Sequence, residues 1–243
     1  MDKIGALMDQ WAGECSPNDI GVLNFRDVGG YAVSATNAVE VGLLYRSAAP
    51  VGIDKGTART LAGRISTRID LRSTLEKMLD PVAELPGVMT ASVDVMKDAP
   101  ASLLFFESSG MYESFVGNGS VRAALGDALK LIARSRGGVL IHCSKGRDRT
   151  GWLVAVLLRI LGVSEELVEF DYMASNAFLG GEDRCRREDL RKTFRVVNRE
   201  FGTVDGYVHN GLGLDRSDVS SLRSRFVVEL EDWFRPAVVG SGV

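Results

Sequence analysis

The sequence predicts an α/β protein built as one domain with helical additions, and three observations carry that reading. The chain has 243 residues, 45% hydrophobic and 25% charged, which is enough apolar material for one core at a length a single domain still tolerates. Val139-Leu140-Ile141 is a short, wholly apolar run followed by a polar Gly-containing loop and an apolar helical stretch, the order expected of a buried parallel strand feeding a helix N-terminus. Upstream, segments rich in β-branched residues alternate with segments of helical periodicity.

In chain order, residues 1–13 place Ile4, Leu7, Met8 and Trp11 on one face and read as a short docking helix, so residues 1–20 are expected to form an N-terminal arm. The paired glycines that end NFRDVGGY (24–31) demand a turn, and a short strand is expected over Val41 to Tyr45. A loop with Pro50, a helix over Gly56 to Ala62, and strands over Arg64 to Leu71 and Val88 to Val95 follow. One helix is predicted across Ser109 to Arg136, where Val121, Ala124, Leu125, Ala128, Leu129 and Ile132 recur at helical spacing and Gly137-Gly138 supplies the stop. After the Val139 strand a buried helix starts near Thr150. From Ser164 the chain is charged and helical, with turns near Gly202 and Gly211-Leu212-Gly213.

Composition excludes several function classes. Twenty-nine Lys and Arg against 32 Asp and Glu give a net charge of -3, so no global positive field recruits nucleic acid. Cys15, Cys143 and Cys185 are an odd set without a C-x-x-C pair, which argues against disulfides and structural zinc and for a reducing, cytoplasmic setting. His142 and His209 stand at no metal-ligand spacing. The N-terminus lacks the basic start and unbroken apolar run of a secretory signal. Trp152 to Leu161 is interrupted by Arg159 and falls short of the ~20 residues a membrane span needs, so no integral membrane association is expected.

The chemistry lies in His142-Cys143-Ser144-Lys145-Gly146-Arg147-Asp148-Arg149-Thr150-Gly151. A cysteine and an arginine five residues apart can face each other across a tight loop whose backbone N–H groups converge on one point, a nest for a phosphate dianion at a helix N-terminus. The same donors favour a thiolate, which makes Cys143 the candidate nucleophile. Arg149 offers a planar fork to phosphate oxygens, so no metal or other cofactor is called for. Thr150 is placed near the sulfur, and His142 supports the loop.

This string resembles the signature of the cysteine-dependent protein tyrosine phosphatase superfamily, in the HC-x-x-G-[KR]-D-RTG form of a bacterial and fungal branch. NFRDVGGY, Leu44-Tyr45-Arg46-Ser47, Ile69-Asp70-Leu71-Arg72-Ser73 with Glu76, Asp171-Tyr172 and Tyr207 extend the similarity over about residues 24–230. The resemblance implies a central, mostly parallel sheet with helices on both faces and a phosphocysteine intermediate. The Trp-Pro-Asp tripeptide that supplies a mobile general acid in many tyrosine phosphatases is absent from this sequence. In the similar branch an aspartate inside the loop has that role, and here that position is Asp148. Asp94 and Asp98 are the competing acids, and Asp70 with Arg72 is expected to form an ion pair near the loop. Lys145 replaces a usual small residue and Arg147 a usual lysine, so Ser144, Lys145, Gly146, Arg147, Asp148 and Arg149 together form the expected phosphate-binding set.

The function so predicted is metal-independent hydrolysis of phosphate monoesters of the tyrosine or dual-specificity type. A phosphatase of a small phosphorylated molecule, such as a phosphoinositide, is the alternative, and a phosphate-binding module without turnover a further one. The Ser- and Gly-containing segment 97–119, with Phe105-Phe106 and Met111-Tyr112, is a candidate lid whose other reading is a helix packed on the core.

Overall fold

The computed structural model describes residues 20–98, 109–179 and 185–230. The expected arm at residues 1–19, including Cys15, lies outside them, as do Phe105 and Phe106 of the candidate lid. The main sheet has five strands: β1 (Arg26–Asp27), β3 (Leu44–Ser47), β4 (Thr67–Asp70), β5 (Met89–Ser92) and β6 (Val139–His142), in the order β1-β3-β6-β4-β5. Only β1 runs antiparallel to its neighbour; β3, β6, β4 and β5 are mutually parallel. A separate antiparallel pair joins β2 (Asn37–Val39) to β7 (Val227–Glu229). The predicted fold class, a mostly parallel α/β sheet with flanking helices, is the one observed.

The central strand β6 is fully buried, with β3 and β4 on its two sides, which is why its sequence is an unbroken apolar run. The helices are α1 (Lys55–Arg64), α2 (Thr74–Leu79), α3 (Ser109–Gly117), α4 (Gly119–Arg134), α5 (Asp148–Leu161), α6 (Glu165–Leu179), α7 (Arg187–Phe201) and α8 (Arg216–Phe226). A single turn at Val204–Gly206 runs into a π-helical turn over Tyr207–Gly211. Helix α5 is buried along nearly its whole length and is apolar from Trp152 to Leu161 except at Arg159, as a helix wrapped by others must be. Its Trp152 sits among Phe115, Phe194 and Tyr207, with ring centroids 4.9 to 6.1 Å apart, and the Trp152 indole N–H donates to the Tyr207 hydroxyl at 3.4 Å. Tyr207 in turn donates to the Phe115 carbonyl at 2.7 Å, so this aromatic cluster carries its polar atoms paired. Among the described residues no helix is long and apolar enough to cross a membrane.

Several element boundaries differ from expectation, each for a local reason. The predicted 109–136 helix is two helices, because Gly117-Asn118-Gly119 is a weak helical tripeptide and Asn118 instead caps α4, its Oδ1 accepting from Ser120 N (2.9 Å) and Val121 N (3.2 Å). The α4 residues that recur at helical spacing, Val121, Leu125, Ala128, Leu129 and Ile132, are buried as predicted. The strand expected from Arg64 starts at Thr67, since Arg64 closes α1; the one expected over Val41 to Tyr45 is shifted to Leu44–Ser47 because Gly42 turns at φ +84°. The strand expected over Val88 to Val95 is confined to Met89–Ser92. The buried helix begins at Asp148, earlier than Thr150, and the C-terminal helical stretch ends in strand β7, which gains its partner only from β2. In the described part of the candidate lid, Met111 is buried in the core on α3, which supports the packed-helix reading for that portion.

Candidate active site

The loop between β6 and α5 lies at the C-terminal end of the central strand, where an α/β sheet opens toward a ligand. Cys143 is the first residue past β6 and is 3% exposed, with its side chain in the core lining. Gly146 turns the loop at φ +67°, and a Cβ there would stand 2.1 Å from the Ser47 carbonyl oxygen, so only glycine fits. Asn24, itself left-handed at φ 54°, donates from Nδ2 to the carbonyls of Lys145 and Gly146 at 3.0 Å each. Arg46 Nη2 also donates to Gly146 O at 2.7 Å. These bonds fix the loop backbone at Lys145 and Gly146.

The carbonyl anchors themselves rest on a buried ion cluster. Asp171 on α6 pairs with Arg26 Nε at 3.1 Å and with Arg46 Nη1 at 2.5 Å, and all three side chains are 2% exposed or less. Arg26 also donates to Asn24 Oδ1, Ser175 Oγ and the Asp171 carbonyl. Burial opposes the Asp171 charge, but the two arginines prevail and hold its carboxyl below the usual carboxylate range.

A sequence profile of the tyrosine phosphatase family matches residues 20–228. The chain belongs to this family. Among related proteins, a Cupriavidus necator protein bearing the name of a tyrosine-protein phosphatase is 28% identical over 243 aligned positions, covering 85% of this chain and 86% of the relative. The triple specificity protein phosphatase PtpB of Mycobacterium tuberculosis is 37% identical over a shorter stretch of 65 positions, 27% of this chain and 23% of that protein. Solved structures with similarity include the core catalytic domain of the PP-IP phosphatase SIW14 from S. cerevisiae, bound to citrate (18% identity, 70% of this chain and 89% of that one, TM-score 0.40). TpbA from P. aeruginosa is another (18% identity, 71% and 88%, TM-score 0.41).

In this phosphatase Arg149 lies in the first turn of α5 with its fork on Glu76 of α2: Nη1 to Oε2 at 2.7 Å and Nη2 to Oε1 at 2.6 Å. Glu76 also accepts from Ser144 Oγ and from the Ser73 N–H (2.9 Å), the second bond being half of the capping box that starts α2. Burial disfavours the Glu76 carboxylate, but Arg149 and these donors outweigh it and bring its pKa down to about 2. Burial likewise disfavours the Arg149 charge, which Glu76 and the neighbouring Cys143 restore and raise.

Asp148 opens α5 with Oδ1 accepting from the Tyr112 hydroxyl at 2.5 Å and Oδ2 beside Arg147 Nε at 3.1 Å. Arg147 is 3% exposed, so its guanidinium is turned toward Asp148 within the fold, whereas Lys145 is exposed. Thr150 Oγ1 is buried with no hydrogen-bond partner among the described residues, and Asp70 and Arg72 form the expected ion pair, with Arg72 Nη2 2.8 Å from Asp70 Oδ2. Of the alternative acids, Asp94 accepts from the backbone N–H groups of Thr74 (3.2 Å) and Met96 (3.0 Å), a turn and helix-start role, and Asp98 is exposed. The roles of Asn24, Arg26, Arg46, Asp171, Glu76 and Tyr112 are invisible to spacing arguments. Their signal in the sequence is that all but Tyr112 sit in the short strings that share the loop motif's resemblance.

His142 is fully buried with Nδ1 3.3 Å from the Cys143 carbonyl and 3.8 Å from Asp70 Oδ1. Burial lowers its pKa to about 4 against the pull of Asp70, so it is uncharged at neutral pH. Asp27, whose carboxylate takes the Gly29 and Gly42 N–H groups at 2.7 and 2.6 Å, is pushed by burial the other way, up to about 6. Between pH 4 and 6 the folded state therefore binds fewer protons than the unfolded chain at His142 and more at Asp27, and the two effects offset. An Asp27→Asn variant is expected to uncover the His142 contribution: stability falls as pH drops from 6.5 toward 4, by up to about 1.4 kcal/mol per pH unit more steeply than in wild type. Urea midpoints at pH 7, 6 and 5 check this, and parallel slopes in the two proteins would refute it.

Proposed function

We propose that this phosphatase hydrolyses phosphate monoesters of the tyrosine or dual-specificity type in two steps without a metal ion, and that residues 24–230 act as one catalytic domain. The observation that carries this reading is the loop itself: Cys143 is buried just past the central strand, Arg149 stands six residues on in the first turn of α5, and the Lys145 and Gly146 carbonyls between them are held by Asn24 and Arg46. The Cys143 thiolate attacks phosphorus in line, and the ester oxygen departs with its bonding electrons, taking the Asp148 proton. The loop N–H groups and Arg149 hold the charge on the equatorial oxygens, Arg149 exchanging Glu76 for the phosphoryl group. Water then attacks the phosphocysteine, its proton passes to Asp148, and inorganic phosphate and the thiolate are released.

The substrate is a phosphorylated protein or small molecule, consistent with the tyrosine-protein and triple specificity phosphatases among its relatives. Asp148 is favoured as the acid because it lies on the loop itself, while Asp94 is committed to the start of α2. Asp148→Asn is expected to slow phenyl phosphate hydrolysis by about 10²- to 10⁴-fold and dinitrophenyl phosphate hydrolysis far less, since a good leaving group needs no proton. Steady-state rates on both esters decide it, and an equal loss on the two would remove Asp148 from the acid role.

A further inference from the structure

Asp148 is not left to find its own orientation, and the groups around it form a hydrogen-bonded chain. The Tyr112 hydroxyl, from α3, donates to Asp148 Oδ1 at 2.5 Å. The Tyr172 hydroxyl, from α6, stands 2.5 Å from the Tyr112 oxygen, a hydrogen bond in which either phenol can be the donor. Behind Tyr172 lies the Cys185 thiol, just ahead of α7, with its backbone N–H given to Asn176 Oδ1 at 2.7 Å and its carbonyl accepting from Asn176 Nδ2 at 3.0 Å. The chain draws on α3, α6 and the segment ahead of α7, with Tyr112 as its contact to the carboxylate.

We propose that Tyr112 and Tyr172 form a positioning pair that orients Asp148 toward the leaving oxygen, a role that rests on Asp148 being the general acid. The charged and titratable groups facing Asp148 are Arg147 and Arg149 from the loop and α5, Tyr112 from α3, and, through it, Tyr172 from α6 and Cys185. Burial raises both phenols well above their ordinary pKa, and burial brings the thiol up to about 11, so at neutral pH these three stay neutral. Removing the Tyr112 hydroxyl leaves the Asp148 side chain free to swing from the leaving oxygen.

Tyr112→Phe tests this while retaining the ring, which packs edge-on against Phe115 at 5.5 Å. With phenyl phosphate, kcat is expected to fall about tenfold with KM within twofold, and the loss to shrink with dinitrophenyl phosphate. Tyr172→Phe is expected to give a smaller loss of the same kind, and Tyr112→Phe in an Asp148→Asn background no further change. A Tyr112→Phe kcat within twofold of wild type, or a full Tyr112→Phe loss persisting in the Asp148→Asn background, would overturn the pair while a large Asp148→Asn effect left the acid assignment standing. Wild-type dependence on the leaving group in Asp148→Asn itself would instead remove the acid assignment, and the pair with it.

Discussion

Cys143→Ser is expected to abolish turnover of p-nitrophenyl phosphate, by about 10⁴-fold or more, while the folded protein still binds phosphate or vanadate at the loop. A serine hydroxyl is a far weaker nucleophile than a thiolate at neutral pH, and the groups that could activate it are engaged elsewhere: His142 is turned to the Cys143 carbonyl and Asp70, Glu76 is held by Arg149, and Asp148 by Tyr112 and Arg147. In the proposed mechanism phosphate is held by backbone N–H groups and Arg149, none of which the substitution touches, so binding is expected to survive where chemistry does not. Wild-type activity is expected to persist in EDTA, because Arg149 and the loop supply the charge stabilisation for which other phosphatases use metal ions. Initial rates with and without EDTA, together with phosphate protection against thermal unfolding, are the measurement. Residual activity in Cys143→Ser within a factor of ten of wild type would exclude the thiolate mechanism.

Asp171→Asn is expected to produce the largest loss of stability of any substitution outside the loop. Asp171 is the sole carboxylate touching both Arg26 and Arg46 among the described residues, and both guanidiniums are fully buried. Neutralising it leaves two buried positive charges facing each other, a cost of about 3 to 5 kcal/mol against a typical total stability of about 5 to 15. A fall in Tm of about 10 °C or more is expected for a chain of this size. Activity should fall as well, because Arg46 would no longer be held where it meets the Gly146 carbonyl. Thermal scans report the first effect and kcat per folded molecule the second; a Tm within 3 °C of wild type would show that the cluster is not a structural foundation of the loop.

The two substitutions differ in what made them foreseeable. Cys143 and Arg149 were legible as candidates because a strand, a tight loop and a helix N-terminus are consecutive in sequence, so the groups that converge there are written next to one another. The same locality made β6, α5 and the buried face of α4 readable from apolar runs and helical spacing. Element ends were less legible: Asn118 splits a continuous helical pattern, and Gly42 shifts β3, because capping and left-handed turns compete with periodicity residue by residue. Strands β1, β2 and β7 are two or three residues long and carry no pattern of their own; β2 and β7 exist through pairing with each other across the chain.

By itself, then, the sequence determined the chemistry on offer: a cysteine, an acid and an arginine on one phosphate-sized loop, in an α/β chain with one apolar core. Tertiary structure decided what each of those groups is held by. Glu76 reaches Arg149 from 73 residues away, Asn24 reaches Gly146 across 122, and Tyr112 reaches Asp148 across 36. No spacing rule encodes such pairs, since a carboxylate or a phenol in a sequence has many partners of the right type and only the packed core brings one of them within hydrogen-bond distance.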